Sequence, residues 1–222
     1  MRKPQLSSRR GKALQRVLIA AAALFLANRF LLVGLLLPMQ ALRYCEEREG
    51  TGRTSVICRD WPQEAGWNQL VYLTENENAT MLAGVKLNLF GWSGGLVSTL
   101  DCSVSAPLQG GWMSLPQEGS KRLFYVFGRV DDPAVARVEI LLQYKEWESA
   151  GGVRHTAFSW ASGQEEWMEQ DGRRYFLIRK YPVEWRHRSD IFAVAVGYDE
   201  SGNEAVRIEL DPHFIGGTAF EE

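Results

Sequence analysis

The sequence predicts a mainly β protein in which an N-terminal transmembrane helix precedes an extracytoplasmic β-rich region. Three observations support this fold class. The first 16 residues carry only basic charges, residues 17–39 are almost entirely apolar, and the remainder alternates short apolar runs with clusters of Gly, Asn, Asp and Ser. With 222 residues, of which 45% are hydrophobic, the chain can bury at least one core.

Charge is distributed unevenly along the chain. Residues 1–42 hold seven bases and no acid, whereas the remainder holds 27 acids and 18 bases, a net charge of −9. We expect no nucleic-acid partner, because an acidic β region lacks the basic field that a phosphate-binding face needs. Residues 1–16 are expected to form a basic cytoplasmic tail.

Residues 17–39 are predicted to form the transmembrane helix, since they can span a hydrocarbon layer of roughly 30 Å. Arg29 opposes insertion by about 2.5–3.5 kcal/mol, while each Leu, Ile, Phe or Val favours it by roughly 0.3–0.6 kcal/mol. Thirteen such residues outweigh the arginine. The positive-inside rule then predicts a single-pass protein of the cell membrane, with a cytoplasmic N-terminus and an extracytoplasmic C-terminal domain. A cleaved signal peptide and a buried soluble helix are the alternatives.

The three cysteines all follow the apolar run. An oxidising compartment would allow one disulfide and leave one thiol over. A Cys45–Cys58 bond closes a short loop and a Cys58–Cys102 bond a longer one, and spacing leaves both pairings open. The chain has no C-x-x-C motif and only three scattered histidines, so we expect no metal and no other cofactor.

Residues 43–120 are expected to form a β-rich segment of unassigned fold. The runs QLVYLT (69–74) and MLAGVKLNLF (81–90) flank a polar stretch and predict a hairpin. Another strand is expected at 96–103. The prolines and glycines of residues 107–119 indicate a linker or long loop.

Beyond residue 121 the pattern predicts a small β-sandwich. Asp171-Gly172 predicts a tight hairpin, because both central positions of a type I′ turn need positive φ. Residues 191–198 are apolar on both faces, which is typical of a strand inside a packed structure. The predicted strands are 123–130, 135–145, 153–160, 173–180, 190–198 and 204–210, enough for a sandwich.

Three segments of this region resemble bacterial immunoglobulin-like domains. FGRVDDPAVARVEI (127–140) is similar to their opening strands, and DGRRYFLI (171–178) resembles their central hairpin. FAVAVGYDESGNEA (192–205) resembles their closing hairpin, although the family often has Ala where this chain has Gly197. The resemblance implies an immunoglobulin-like β-sandwich at 121–212, followed by a C-terminal tail at 213–222, and it implies no catalytic residue.

We expect this protein to bind rather than to catalyse. The sequence contains no phosphate-binding loop, nucleophile elbow or H-E-x-x-H helix. The first hypothesis is a membrane-anchored interaction or structural module of a bacterial cell envelope. Its expected partners are the membrane and another envelope protein or a cell-wall polymer.

The alternative function is that of a cell-wall glycan-binding module. An exposed indole suits a sugar ring because it joins an apolar face to a polar edge. Packing in a core is the competing interpretation of the eight tryptophans. The candidates for glycan stacking are Trp147, Trp160, Trp167 and Trp185.

Overall fold

The computed structural model describes residues 6–31, 35–63, 68–103, 105–116, 121–147, 153–184 and 188–210. Within these ranges two α-helices precede twelve β-strands, and a 3-10 helix (Gln164–Glu166) lies before β9. The helices are α1 (Leu6–Leu31) and α2 (Pro38–Glu49). The strands are β1 (Ser55–Asp60), β2 (Gln69–Glu75), β3 (Ala79–Asn88), β4 (Gly91–Asp101), β5 (Leu108–Pro116), β6 (Lys121–Val130), β7 (Arg137–Trp147), β8 (Val153–Gly163), β9 (Met168–Gln170), β10 (Arg173–Glu184), β11 (Arg188–Tyr198) and β12 (Glu204–Glu209).

Helix α1 is not the predicted transmembrane helix at residues 17–39. It begins at Leu6, so basic residues expected in a separate tail at 1–16 belong to its first half. It ends at Leu31, and the apolar residues 35–37 lie in a bridge and a bend that precede α2. The apolar run is therefore divided between elements.

Within the described residues, no helix is both long and apolar enough to cross a membrane. The uninterrupted apolar stretch of α1 is Val17–Ala27, roughly 16 Å of helix against a hydrocarbon layer of roughly 30 Å. The prediction of a single-pass membrane protein with a cytoplasmic N-terminus and an extracytoplasmic β domain is therefore wrong. The mainly β character of the chain is the part of the fold class that the structure supports.

The strands form three four-stranded antiparallel sheets among the described residues. Sheet 1 has the order β1-β2-β3-β4, sheet 2 has β5-β6-β10-β9, and sheet 3 has β12-β11-β7-β8. Sheet 1 is a simple meander. Sheets 2 and 3 interleave along the chain, because β7 and β8 leave sheet 2 before β9 and β10 return to it.

The layers stack in the order α2, sheet 1, sheet 2 and sheet 3. All residues of strand β2 are buried, so both of its faces lie against another layer. Leu70 and Tyr72 pack toward α2, whereas Val71 and Leu73 pack toward sheet 2. Successive side chains of a strand point to opposite faces, so β2 contributes to two cores at once.

Strand β6, inside sheet 2, also contributes side chains to two cores. Leu123, Tyr125 and Phe127 pack in the core shared with sheet 1, while Phe124 and Val126 pack in the core shared with sheet 3. The run LFYVF is apolar at every position because each face of the strand meets a different layer. Such continuous apolar runs are typical of strands buried on both faces.

Helix α2 covers the outer face of sheet 1 through the buried residues Ala41, Leu42 and Cys45. Gly94 of β4 permits this close approach, since a Cβ there would lie 2.8 Å from the Cys45 Sγ. Glu46 accepts hydrogen bonds from the N–H and the hydroxyl of Thr54, at 3.0 and 2.5 Å, and so ties α2 to the start of β1.

The hairpin predicted at Asp171-Gly172 is confirmed. Asp171 and Gly172 have φ values of 51° and 75° and join β9 to β10. The predicted loop at 107–119 is wrong, because Leu108–Pro116 form β5. Gly110 belongs in that strand for a packing reason, since a Cβ there would lie 2.7 Å from the Leu210 side chain of the opposite layer.

The expected division between residues 43–120 and 121–212 lies between β5 and β6. These two strands pair along their whole length, from Leu108 opposite Val130 to Pro116 opposite Arg122. Sheet 2 therefore contains strands from both segments. The tail expected at 213–222 lies outside the described residues.

Candidate functional site

A group of exposed apolar side chains lies where the start of α2 meets the tip of the β3–β4 hairpin. Isolated exposed hydrophobic residues are ordinary, but a contiguous group on a folded surface marks a contact site. We call this group the apolar end. It consists of Leu36, Leu37, Met39, Leu89 and Phe90, which are 54%, 58%, 39%, 91% and 60% exposed.

A backbone bridge holds the two segments of the apolar end together. The N–H of Leu35 donates to the carbonyl of Trp92 at 2.7 Å, and the N–H of Trp92 donates back at 2.7 Å. Gly91 permits this contact, since it has a φ of 128° and a Cβ there would lie 2.6 Å from the Leu35 carbonyl oxygen. The segment before α2 and the hairpin tip therefore form one surface.

Polar side chains next to the apolar end accept hydrogen bonds from three of its backbone amides. The Gln40 Oε1 accepts hydrogen bonds from the N–H groups of Leu36 and Leu37, at 3.1 and 3.2 Å. The Asn88 Oδ1 accepts one from the N–H of Phe90 at 3.0 Å. These three donors are bonded inside the protein, so they do not require water.

Helix α1 also exposes apolar and basic side chains. Leu14, Val17, Leu18 and Ile19 are 60–64% exposed. Lys12 and Arg16 are exposed on the same stretch. A helix that carries apolar residues around its circumference normally buries them, so this stretch is also a candidate contact surface.

Two carboxylates of sheet 1 accept hydrogen bonds from tyrosines of sheet 2, and the first of these carboxylates is Asp60. The Tyr125 hydroxyl donates to Asp60 at 2.5 Å, and the Arg179 Nη1 lies 2.9 Å from both carboxylate oxygens. Burial, with a smaller contribution from Asp60, raises the pKa of Tyr125 well above its usual range. Tyr125 therefore keeps its proton, and can donate this hydrogen bond, even at alkaline pH.

The second carboxylate is Glu75, whose side chain is 4% exposed. The Tyr175 hydroxyl donates to Glu75, and the Arg173 Nη1 lies 3.5 Å from the same carboxylate oxygen. Burial raises the pKa of Glu75, while the charge of Arg173 opposes that increase. Both carboxylates are engaged in contacts between sheets, so their unusual surroundings have a structural explanation.

The structure places Cys45 and Cys58 on opposite faces of sheet 1. Cys45 packs from α2 against the outer face of sheet 1, whereas Cys58 packs toward sheet 2. All three cysteines, including Cys102, are free in the structure, which contains neither of the two pairings that spacing leaves open. The sheet separates the two thiols, and a bond would require backbone movement. Burial raises the pKa of Cys58 to about 11 and also raises that of Cys45.

Metal chemistry finds no support in the part of the chain that the structure describes. No group of three or more His, Cys, Asp or Glu residues there could hold a metal ion. His155 belongs to β8, but its side chain is outside the described set, and His187 and His213 lie outside it altogether.

Two of the four tryptophans considered for glycan stacking pack against the core between sheets 2 and 3. Trp160 has the Lys180 Nζ at 5.6 Å from its ring centroid, and Trp167 has the Arg174 guanidinium at 5.3 Å. Each ring therefore has a cation over one face. Trp147 is the last residue of β7, with a side chain outside the described set, and Trp185 is outside it altogether.

Trp160 and Trp167 border two different grooves. The groove beside Trp160 has a volume of about 420 Å³ and is also lined by Glu166 and Lys180. The groove beside Trp167 has a volume of about 400 Å³ and is lined by polar side chains such as Glu169. The two rings do not share one stacking surface.

The apolar end is not among the sites that the sequence predicts. Residues 81–90 are predicted as one strand, which hides the fact that Leu89 and Phe90 form the tip of a hairpin. The sequence does contain one indication of this tip, the order Asn88-Leu89-Phe90-Gly91. Asn and Gly are typical turn residues, and the two large apolar residues between them occupy positions where turns usually carry polar residues.

Comparison with protein-family models, curated protein sequences and solved structures finds no match for this chain. The functional interpretation therefore depends on the geometry of the chain itself.

Proposed function

We propose that this protein is a non-catalytic interaction module that docks through its apolar end, which lies at one end of sheet 1. The observation that carries the proposal is the exposure of Leu89 and Phe90, at 91% and 60%, on a hairpin tip joined to Leu36 and Leu37. Burying a large apolar side chain stabilises a contact by about 1.5–3 kcal/mol, so a group of five can dominate binding.

The polar chemistry of the described residues supports a binding role over a catalytic one. The two carboxylates that lie between sheets, Asp60 and Glu75, already accept hydrogen bonds from tyrosines and contact arginines. An active carboxylate would need access to a substrate. These two groups instead stabilise the packing of sheet 1 on sheet 2.

The strand orders support the immunoglobulin-like interpretation of sheets 2 and 3. In that fold the strands A-B-E-D form one sheet and G-F-C form the other. The order β5-β6-β10-β9 corresponds to A-B-E-D, and β12-β11-β7-β8 corresponds to G-F-C with one added strand. On this correspondence the sandwich begins at Leu108 rather than at residue 121. Sheet 1 and α2 would then be a separate cap on the A-B-E-D face.

Site-specific photocrosslinking tests whether the apolar end is a contact site. A photoreactive phenylalanine analogue replaces Phe90 in the full chain, and the matched control carries it at Phe192, which is 44% exposed on sheet 3. We expect adducts in the native cell from position 90 and few from position 192. Equal yields at the two positions would contradict the proposal.

A glycan-binding role is the second candidate, and one observation favours it. Trp160 borders a groove whose other lining groups include Glu166 and Lys180, which can hydrogen-bond sugar hydroxyls. A pull-down with insoluble cell-wall glycan tests this role. Retention of the wild type and loss of retention in Trp160→Ala would support it, whereas equal retention of both proteins would exclude this groove.

A further inference from the structure

We infer that the partner of the apolar end is an anionic lipid surface, an inference that rests on the proposed docking function. The contact is peripheral, with the hairpin tip entering the headgroup region. It requires no membrane-crossing helix, and none occurs among the described residues. Three properties of the protein favour a lipid partner over a protein groove or a second copy of the chain.

The first property is shape. Leu89, at 91% exposed, and Phe90 form the turn that joins β3 to β4, so their large side chains extend from one end of the four-stranded sheet 1. A protruding tip fits a protein only if that protein has a matching cavity. A lipid interface is deformable and accepts apolar side chains to a depth of about 5–10 Å.

The second property is the internal pairing of backbone donors. An amide N–H that enters a water-poor layer without a partner is strongly unfavourable. Gln40 accepts hydrogen bonds from the N–H groups of Leu36 and Leu37, and Asn88 accepts one from Phe90. The tip can therefore lose water without leaving these three donors unpaired.

The third property is charge. Residues 1–42 contain seven bases and no acid, and Lys12 and Arg16 are exposed on α1. The rest of the chain has a net charge of −9. Anionic headgroups attract the first segment, which includes Leu36, Leu37 and Met39 of the apolar end, and repel the net charge of the rest of the chain. Two copies meeting through their basic segments would repel each other, which disfavours self-association.

Vesicle co-sedimentation of the full chain tests this inference. The probes are vesicles of phosphatidylcholine alone and of phosphatidylcholine mixed with phosphatidylglycerol. We expect binding to the mixed vesicles that weakens as salt is added, because exposed charges are screened. We expect little binding to the neutral vesicles.

Two pairs of variants separate apolar from electrostatic attachment. The double variant Leu89→Ser/Phe90→Ser should bind mixed vesicles at least roughly tenfold more weakly, whereas the control Phe192→Ser should bind as the wild type does. The charge reversal Lys12→Glu/Arg16→Glu should also weaken binding by roughly tenfold or more, unlike the matched reversal Arg137→Glu/Arg207→Glu on sheet 3. A circular dichroism spectrum of each variant serves as the control that it is folded.

The outcomes distinguish the lipid inference from the docking proposal. Failure of the wild type to bind mixed vesicles, or equal binding by the Leu89→Ser/Phe90→Ser variant, would overturn the lipid inference. If position 90 then crosslinks to a discrete protein and position 192 does not, the docking proposal stands with a protein partner. If position 90 gives no adduct with protein or lipid, both proposals are wrong.

Discussion

Removing the hydroxyl of Tyr175 should destabilise the protein more than removing that of Tyr125. Both tyrosine side chains are fully buried on sheet 2, and each hydroxyl donates to a carboxylate of sheet 1. The substitutions Tyr175→Phe and Tyr125→Phe therefore delete the same atom from equivalent contacts. They differ in what remains around the carboxylate.

The surroundings of each acid set the expected magnitudes. Asp60 is 27% exposed and retains Arg179 at 2.9 Å, so water and the guanidinium can replace the lost donor. Glu75 is 4% exposed and retains Arg173 at only 3.5 Å. We expect a loss of about 1 kcal/mol for Tyr125→Phe and about 2–3 kcal/mol for Tyr175→Phe, since a hydrogen bond to a buried charged group contributes more.

The effect of Tyr175→Phe should also depend on pH. Burial raises the pKa of Glu75 in the folded state, so the folded protein binds this proton more readily than the unfolded chain does. Stability from this group is then greatest at acidic pH and decreases as pH rises from the ordinary pKa through the raised one. The Tyr175 hydroxyl stabilises the ionised carboxylate, so deleting it should reduce stability more at pH 7 than at pH 4.

Urea denaturation followed by circular dichroism at the two pH values measures these differences. Glu75→Gln supplies the control, because a neutral amide cannot ionise and the effect of Tyr175→Phe should lose its pH dependence in that background. Equal losses of stability for Tyr125→Phe and Tyr175→Phe would refute the difference in burial between Asp60 and Glu75 as their cause. The same effect of Tyr175→Phe at pH 4 and pH 7 would show that the Tyr175 hydroxyl does not act on the ionised Glu75 carboxylate.

Three further predictions concern backbone packing and thiols. Gly128→Ala should destabilise the protein by about 3 kcal/mol in urea denaturation, because its Cβ would overlap the Gln109 carbonyl oxygen and the Phe176 ring; a neutral effect would contradict the packing of Phe176 over Gly128 within sheet 2. Gly172→Ala should cost only about 1 kcal/mol, since its φ is positive but nothing surrounds it, and a cost equal to that of Gly128→Ala would refute the distinction. Half-buried Cys58, with a pKa of about 11, and buried Cys45 should react slowly with thiol reagents at pH 8 until urea is added; rapid labelling of both thiols in the native protein would contradict this expectation.

Local patterns in the sequence predict most of the strands correctly. Alternation of side chains and turn residues depend on neighbouring positions, so the Asp171-Gly172 hairpin follows from two residues alone. Strand β5 is missed for the converse reason. Its glycines indicate a loop locally, yet Gly110 is required because Leu210, far along the chain, packs against that position.

The transmembrane prediction fails because hydropathy takes no account of where helices begin and end. Summing apolar residues over 17–39 treats them as one helix. The structure instead extends α1 back to Leu6 and begins α2 at Pro38, which fixes φ in a way that suits the first turn of a helix. Within α1, Arg29 then lies near an end of the helix rather than at its centre.

The candidate site could be predicted only in part. The tryptophans at 160 and 167 are conspicuous in the sequence, but the structure packs them against a core beneath cations. The apolar end depends on the bridge between Leu35 and Trp92, which joins residues more than fifty positions apart. No local pattern contains that pairing.

The sequence by itself determined the β class, the Asp171-Gly172 hairpin and the separation of a basic N-terminal segment from an acidic remainder. These properties are local or additive along the chain. Only the tertiary structure decided that apolar faces of β2 and β6 meet different layers, that Cys45 and Cys58 lie apart, and that the hairpin tip joins the start of α2. Those outcomes depend on long-range pairing, in which burial selects partners that are distant in sequence.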